Sequence, residues 1–307
     1  MNVSERFREG DKRALARALT WVEAGLPEGR ELLKRLRGQG TAKIVGLTGS
    51  PGAGKSTLAD RLIEGIRARG ETVAVLAVDP SSPFTGGAIL GDRIRMMRHH
   101  KDDGVFIRSM ASRGALGGLA GATVAALNLL EAFGFDWILI ETVGVGQSEV
   151  DIARVADTTV LVLTPAAGDA VQAFKAGVME IADVITINKF DLPGGERLVQ
   201  ELKATLEFAP PRPAGWQVPV TTAIAAKGEG TQALLEAIEA HHCHMVAHGL
   251  LEAHRLERAR FEVVSVIQEW GRRSVQDDAL VRQVAEGHLT PEEAAERLLR
   301  EALQAAH

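Results

Sequence analysis

Gly49-Ser50-Pro51-Gly52-Ala53-Gly54-Lys55-Ser56 stands between an apolar run, Ile44-Val45-Gly46-Leu47-Thr48, and a helical pattern that opens at Thr57-Leu58-Ala59-Asp60-Arg61-Leu62-Ile63. The octet fits G-x-x-x-x-G-K-[ST], and the run before it predicts a buried strand. Strand, glycine loop and helix together are the context the motif needs. The glycines let backbone N–H groups close on phosphate oxygens, and the helix N-terminus adds partial positive charge. The spacing assigns Lys55 to the β- and γ-phosphates and the Ser56 hydroxyl to Mg²⁺, with Gly49, Gly52, Ala53, Gly54 and Thr57 completing the cradle. The stretch predicts a nucleoside-triphosphate site of the phosphate-binding-loop type.

Working outward, apolar runs at 44–48, 73–78, 105–107, 137–140, 159–163, 184–187 and 218–221 alternate with helical patterns. Continuous rather than alternating apolar strands are buried on both faces, which predicts an α/β fold with a mostly parallel, doubly wound sheet over residues 41–240. Residues 1–40 read as a helical N-terminal extension, with Leu15, Leu19, Val22, Leu32, Leu33 and Leu36 near helical spacing and one interruption at 25–27. Residues 241–307 read as a helical C-terminal arm, with long helices through 231–247 and 250–275. A shorter helix follows, where Thr290, Pro291 and Glu293 form a capping-box start.

Composition closes off other classes. A chain of 307 residues with 46% hydrophobic content can bury a full core. Net charge −5 leaves no basic stripe for nucleic acid, and 4% aromatic content without a tyrosine offers few stacking platforms for bases. The single cysteine, Cys243, excludes a disulfide framework and a cysteine-based metal cage. No apolar run approaches the ~18 residues of a membrane span. The opening Ser4-Glu5-Arg6-Phe7-Arg8-Glu9 is too charged for a secretory signal. The expectation is a soluble, cytoplasmic protein with neither nucleic-acid nor membrane partner.

Two further strands end in chemistry. Trp137-Ile138-Leu139-Ile140-Glu141 brings a carboxylate to a strand tip, where it can hold Mg²⁺ directly or through water, and Gly144 can offer its N–H to the γ-phosphate. Asp79 ends another buried strand at the edge where ligands bind in open α/β sheets. The glycine- and serine-rich stretch 80–91 leads to Asp92, read as near the metal, although an aspartate before a helix is often only a cap.

Val184-Ile185-Thr186-Ile187 is followed by Asn188-Lys189-Phe190-Asp191, an N-K-x-D turn. A carboxylate accepts two hydrogen bonds from guanine, from N1–H and the exocyclic N2 amine, and adenine lacks that donor pair. Asp191 therefore selects guanine, with Asn188 and Lys189 bracing the loops, and the substrate reads as GTP. The stretch 223–230 should supply a backbone N–H to guanine O6, and Ala225 is the residue chosen for it, with Ile224 where many GTPases place a serine.

The set of motifs resembles the MeaB/ArgK family of P-loop GTPases, a group that includes the methylmalonic aciduria type A proteins. The likeness rests on G-S-P-G-A-G-K-S-T, V-D-P-S-S-P-F-T-G-G-A-I-L-G-D-R, E-T-V-G-V-G-Q-S-E, G-D-A-V-Q-A-F-K-A-G-V-M-E-I-A-D and N-K-F-D, and runs over residues 10–300. Its most specific pieces are 141–149 and 168–183. The resemblance implies a G-protein chaperone that gates adenosylcobalamin loading and protects an adenosylcobalamin-dependent acyl-CoA mutase, typically methylmalonyl-CoA mutase. It implies Asp79, Asp92 and Glu141 as metal-side carboxylates, and Gln172 and Lys175 as a mobile element that moves toward the nucleotide. It also implies a homodimer through the C-terminal helices, which suits the apolar face of Phe261, Val264, Ile267 and Trp270.

Hydrolysis alone should be slow. Ras-like proteins orient water with a Gln directly after the glycine of this motif. Here Val145 holds that place and Gln147 stands two residues on, so a partner is expected to complete the site. Rival readings remain on the same core. A metal-delivery GTPase needs a ligand cluster, yet in His241-His242-Cys243-His244 only His241 with His244 or His248 shares a helix face, and the stretch reads as a solvated helix end. A protein kinase, the older ArgK label, should accept ATP, which N-K-F-D opposes. A partition-type ATPase needs lysine where Ser50 stands. A GTP-sensing scaffold that barely hydrolyses shades into the chaperone reading.

Overall fold

The computed structural model describes residues 2–36, 38–79, 97–99, 101–111, 121–142, 148–165, 178–275 and 278–305. Three helices, α1 (Val3–Arg8), α2 (Lys12–Glu23) and α3 (Pro27–Leu36), precede β1 (Lys43–Thr48). Then come α4 (Lys55–Ala68), β2 (Val73–Asp79), β3 (Val105–Ala111), α5 (Gly121–Phe133), β4 (Trp137–Thr142), α6 (Ser148–Val155) and β5 (Thr158–Leu163). They are followed by α7 (Val178–Ile181), β6 (Val184–Ile187), α8 (Gly195–Glu207), β7 (Val220–Thr222) and α9 (Thr231–Ala247). The strands form one parallel sheet in the order β3-β2-β4-β1-β5-β6-β7. All seven apolar runs became strands; β1, β2, β4, β5 and β6 are buried almost throughout, while β7, at the sheet edge, is only half-buried.

The order makes β1 the central strand, hydrogen-bonded to β4 on one side and β5 on the other. Connections leave β1 in both directions from that point, so the carboxyl ends of β1, β4, β5 and β6 open a crevice where ligands bind in such sheets. One face of the sheet packs Val45, Leu47, Leu139 and Val160 under Leu58, Leu62 and Ile63 of α4 and Leu234 and Ile238 of α9. The other packs Leu161, Leu163, Ile185 and Ile187 under Met179, Leu198 and Leu202. Gly46 lets α6 lie close on β1, since a Cβ there would stand 2.5 Å from Ile152 Cγ1. These contacts fix where β1 ends and α4 begins, and hence the path of the loop between them.

The N-terminal extension is three helices rather than two. A break unforeseen from periodicity falls at Gly10, which takes φ +80°, followed by Asp11, whose carboxylate accepts from the N–H of Arg13 at 2.7 Å and caps α2. The ammonium of Lys12 donates to the carbonyls of Asp102 and Val105 (3.2 and 2.9 Å), and Arg108 pairs with Glu23 at 2.8 Å, so α2 is fastened to the β3 edge.

The chain divides into two compact units, Met1–Arg258 and Ala259–His307. Within the first, the start of α10 (Leu250–Ser274) is held where Arg258 donates to the buried Glu131 at 2.7 Å. The second unit holds the rest of α10, α11 (Asp278–Ala285) and α12 (Pro291–Ala305). The capping box at Thr290 is present, with reciprocal bonds to Glu293 of 2.8 and 3.2 Å. No helix among the described residues is long and apolar enough to cross a membrane.

The histidine stretch differs from a solvated helix end. His241 is buried, its Nδ1 lies 2.9 Å from Thr158 Oγ1, and its ring meets Trp216 at 4.9 Å. Helix periodicity turns this one residue of the run inward, where β5 and Trp216 cover it. Burial, and then the neighbouring His244, hold its pKa down to about 4. A folded-state pKa below the unfolded value means the stabilisation is full above about 6.5 and is lost as pH falls toward 4. Asp183, raised to about 6 by burial, takes up its proton in the same window and works in the opposite direction. His241 Nε2 lies 3.5 Å from Asp183 Oδ1, so the difference between wild type and His241→Asn reports the imidazole together with that contact. Wild type is expected to lose up to about 3 kcal/mol more than the variant between pH 6.5 and 4, read by urea melts across that range. Parallel curves would show that the His241 imidazole has the same pKa in the folded and the unfolded chain.

Candidate functional site

The loop after β1 is built by glycine geometry. Gly52 and Gly54 take φ +79° and +92°, which side chains rarely adopt, and a Cβ on Gly54 would stand 2.3 Å from Asn188 Nδ2. The loop closes on itself through the Ala53 N–H to the Ser50 carbonyl at 3.1 Å. From its end α4 starts at Lys55, so the first amides of that helix face the crevice.

Lys55 and Ser56 are both buried. The Lys55 ammonium donates to the carbonyls of Gly49 (2.6 Å) and Ser50 (3.1 Å), curling back over the loop whose amides would hold phosphate. The Ser56 hydroxyl donates to Glu141 Oε1 at 2.5 Å. Glu141 is 3% exposed and sits beside Leu47 in the sheet, so β4 carries its carboxylate to the phosphate loop from the neighbouring strand. A hydroxyl and a carboxylate in contact, both oxygen donors, suit a hard divalent cation such as Mg²⁺. Thr57 follows, half-buried, on the first turn of α4.

The N-K-x-D turn meets the same loop from β6. Asn188 is 2% exposed and its amide bridges two loops, donating to the Ala53 carbonyl at 2.8 Å and accepting from the Ala225 N–H at 3.1 Å. Lys189 takes φ +55° and donates to the Gly52 carbonyl at 2.8 Å. Phe190 N–H bonds the Ala223 carbonyl at 3.1 Å, which ties the turn to the loop after β7. Asp191 follows on this braced turn with an exposed side chain. Phosphate loop, N-K-x-D turn and the Ala225 loop are thus one hydrogen-bonded assembly.

The fold brings together Gly49, Gly52, Ala53, Gly54, Lys55, Ser56, Glu141, Asn188, Lys189, Asp191 and Ala225. Asp79 ends β2 two strands from β1, beside β4, and its side chain is not among those described. Asp92, Gly144, Val145, Gln147, Gln172 and Lys175 lie outside the described residues. Among the described residues no group of three or more His, Cys, Asp or Glu is arranged to hold a metal ion.

A family described as methylmalonyl Co-A mutase-associated GTPase MeaB matches residues 15–279. A Pyrococcus abyssi protein named as a GTPase is 45% identical over 307 residues, 97% of this chain and 95% of the relative. The mitochondrial methylmalonic aciduria type A homolog of Mus musculus is 36% identical over 318 residues, 95% of this chain and 77% of the mouse protein. Among solved structures, that of a LAO/AO transport system kinase superposes with a TM-score of 0.73 at 27% identity, covering 98% of this chain and 96% of that one.

Proposed function

This chain belongs to the MeaB family of methylmalonyl-CoA mutase-associated GTPases, and from that premise we propose that its GTP cycle gates adenosylcobalamin loading into, and protects, an adenosylcobalamin-dependent acyl-CoA mutase. The observation that carries the reading is the family match over 15–279, because the family's description itself names the mutase. The site supports the nucleotide half of it. Lys55 is placed to exchange its two loop carbonyls for phosphate oxygens, and the amides at the start of α4 to hold the same group. Mg²⁺, held by Ser56 and Glu141 with Asp79 and Asp92 as further carboxylates, would offset charge on the β- and γ-phosphates.

Asp191 would take N1–H and the N2 amine of guanine. Because the Ala225 N–H is already given to the Asn188 amide, the amide proposed for guanine O6 passes to the next residue, Ala226. Gln172 and Lys175 are retained as the element through which a bound mutase completes the hydrolytic site. A homodimer belongs to the same proposal: of the expected face Val264, Ile267 and Trp270 have exposed side chains along α10 and Phe261 is half-buried, while Val263 and Val266 add exposed apolar side chains beside them. Sedimentation of the purified chain decides that point, and a monomer at micromolar concentration would remove it.

GTP turnover by the purified protein, alone and with candidate mutases and with ATP as control, tests the function. Slow turnover alone, raised tenfold or more by one mutase while ATP stays inert, is the expected result. An unchanged rate with every mutase would leave a guanine-nucleotide GTPase with another partner.

A further inference from the structure

Arg61 carries no motif, yet it is the residue on α4 that reaches the base-side loop. Its side chain spends its donors on three partners. Nε donates to the Ala225 carbonyl at 3.0 Å, Nη2 to the Ala226 carbonyl at 3.2 Å, and Nη1 to Glu64 Oε2 at 2.8 Å. The other oxygen of Glu64 lies 3.0 Å from Arg98 Nη1. Arg98 is in turn fixed by Asp60, to which its Nε donates at 2.7 Å, and Asp60 also meets His99 Nε2 at 2.8 Å. Arg61 is thus held in place from its own helix, with its fork aimed at two consecutive carbonyls.

The geometry of a peptide unit gives these contacts a consequence. The Ala225 carbonyl and the Ala226 N–H belong to one planar peptide, and no cis bond is found among the described residues. In a trans peptide the two groups point in opposite directions. The Ala225 carbonyl also accepts the Gly228 N–H at 3.1 Å, and Arg61 adds the second anchor from α4 that turns the Ala226 N–H away from that helix. The Ala225 N–H, one peptide earlier, is consumed by Asn188, so the next amide is the one whose direction matters. A cationic donor on the carbonyl also polarises the same peptide and strengthens its N–H as a donor.

We propose that Arg61 is a positioning residue for nucleotide selectivity: through the Ala225 carbonyl it orients the Ala226 amide toward O6 of guanine, and through the Ala226 carbonyl it stops the loop from turning. The inference rests on the placement of guanine proposed above. An N–H fixed in that direction donates to a keto oxygen and opposes the amino group that adenine carries at the same position, which is selectivity by repulsion as much as by attraction. α4 thereby serves both ends of the nucleotide, the phosphates with its first residues and the base with Arg61 one and a half turns later.

The test is the dissociation constant of GDP, ADP, GTP and ATP, by displacement of a fluorescent guanine nucleotide, for wild type, Arg61→Ala, Arg61→Lys and Asp191→Asn, with thermal melts to establish folding. Arg61→Ala is expected to weaken GDP and GTP about tenfold, the order of one hydrogen bond from a charged group, while ADP and ATP hold constant or improve. Guanine-over-adenine preference falls by the same factor, and the loss in turnover appears in KM rather than kcat. Arg61→Lys keeps the charge and the stem but cannot span both carbonyls, so it should lose part of the preference even where the alanine variant folds poorly. Equal weakening of guanine and adenine nucleotides, or no change in a folded variant, overturns the role of Arg61. If Asp191→Asn also leaves the preference intact, the base lies elsewhere and the site reading itself fails.

Discussion

Lys55→Ala protein is expected to release phosphate from GTP roughly 10²–10³ times more slowly than wild type, the scale of removing one preorganised electrostatic donor from a water-excluded site. The expectation follows from where the ammonium stands. It is buried at the start of α4, and among the described residues the two carbonyls to which it donates belong to the loop that encloses the phosphates. A triphosphate entering that loop replaces those neutral acceptors with anionic oxygens, in a setting where each ~1.4 kcal/mol of differential attraction is a factor of ten in rate. Alanine leaves the loop amides and the Ser56–Glu141 pair in place, so nucleotide binding should fall far less than turnover. The fold should survive, since the bonds lost among the described residues are two loop contacts and no core volume is removed; a melting temperature within several degrees of wild type checks this. A folded Lys55→Ala protein that turns over GTP within threefold of wild type would show that the reaction runs elsewhere.

The elements that were legible in the sequence are those whose signal is local. The inner strands are continuous apolar runs because their two faces are both covered, and the phosphate loop is a run of glycines because its backbone needs positive φ at Gly52 and Gly54. The Glu141 strand and the N-K-x-D turn were equally legible, since each is a buried strand ending in one polar group. What escaped depends on partners distant in the chain. Asn188 takes the Ala225 amide from 37 residues away, which moves the proposed guanine-facing amide by one position. Arg61 belongs to no motif, and only the fold brings residues 225–226 onto it while Glu64, three residues on along the helix, holds its other end. The inward turn of His241 likewise depends on Trp216 and Thr158, neither of them near it in sequence.

Asp191→Asn should change which base the site accepts, from guanine toward xanthine. The carboxylate offers acceptors only, matching the two donors of guanine at N1 and N2. Asparagine offers one acceptor and one donor amine. Placed against guanine, that amine faces the N2 amine and two donors oppose each other. Placed against xanthine, which has a carbonyl at C2, the asparagine oxygen takes N1–H and its amine gives to the carbonyl. Loss of a charge-assisted bond costs about 1.5–3 kcal/mol, and an unmatched donor adds to it, so GTP affinity should drop about 10²-fold or more. Xanthosine triphosphate gains what GTP loses, because the contact is exchanged rather than removed. The substitution is close to isosteric and the side chain is exposed, while the turn that carries it is held by Asn188 and Lys189 on the phosphate loop and by Phe190 on the loop after β7. Those anchors are untouched, so the phosphates and Mg²⁺ should bind as before and turnover should continue with the new nucleotide. Competition between GTP and xanthosine triphosphate in a turnover assay reads the exchange directly. A folded Asp191→Asn variant that keeps its full preference for GTP takes Asp191 out of the base site, and with it the guanine reading of the whole N-K-F-D turn.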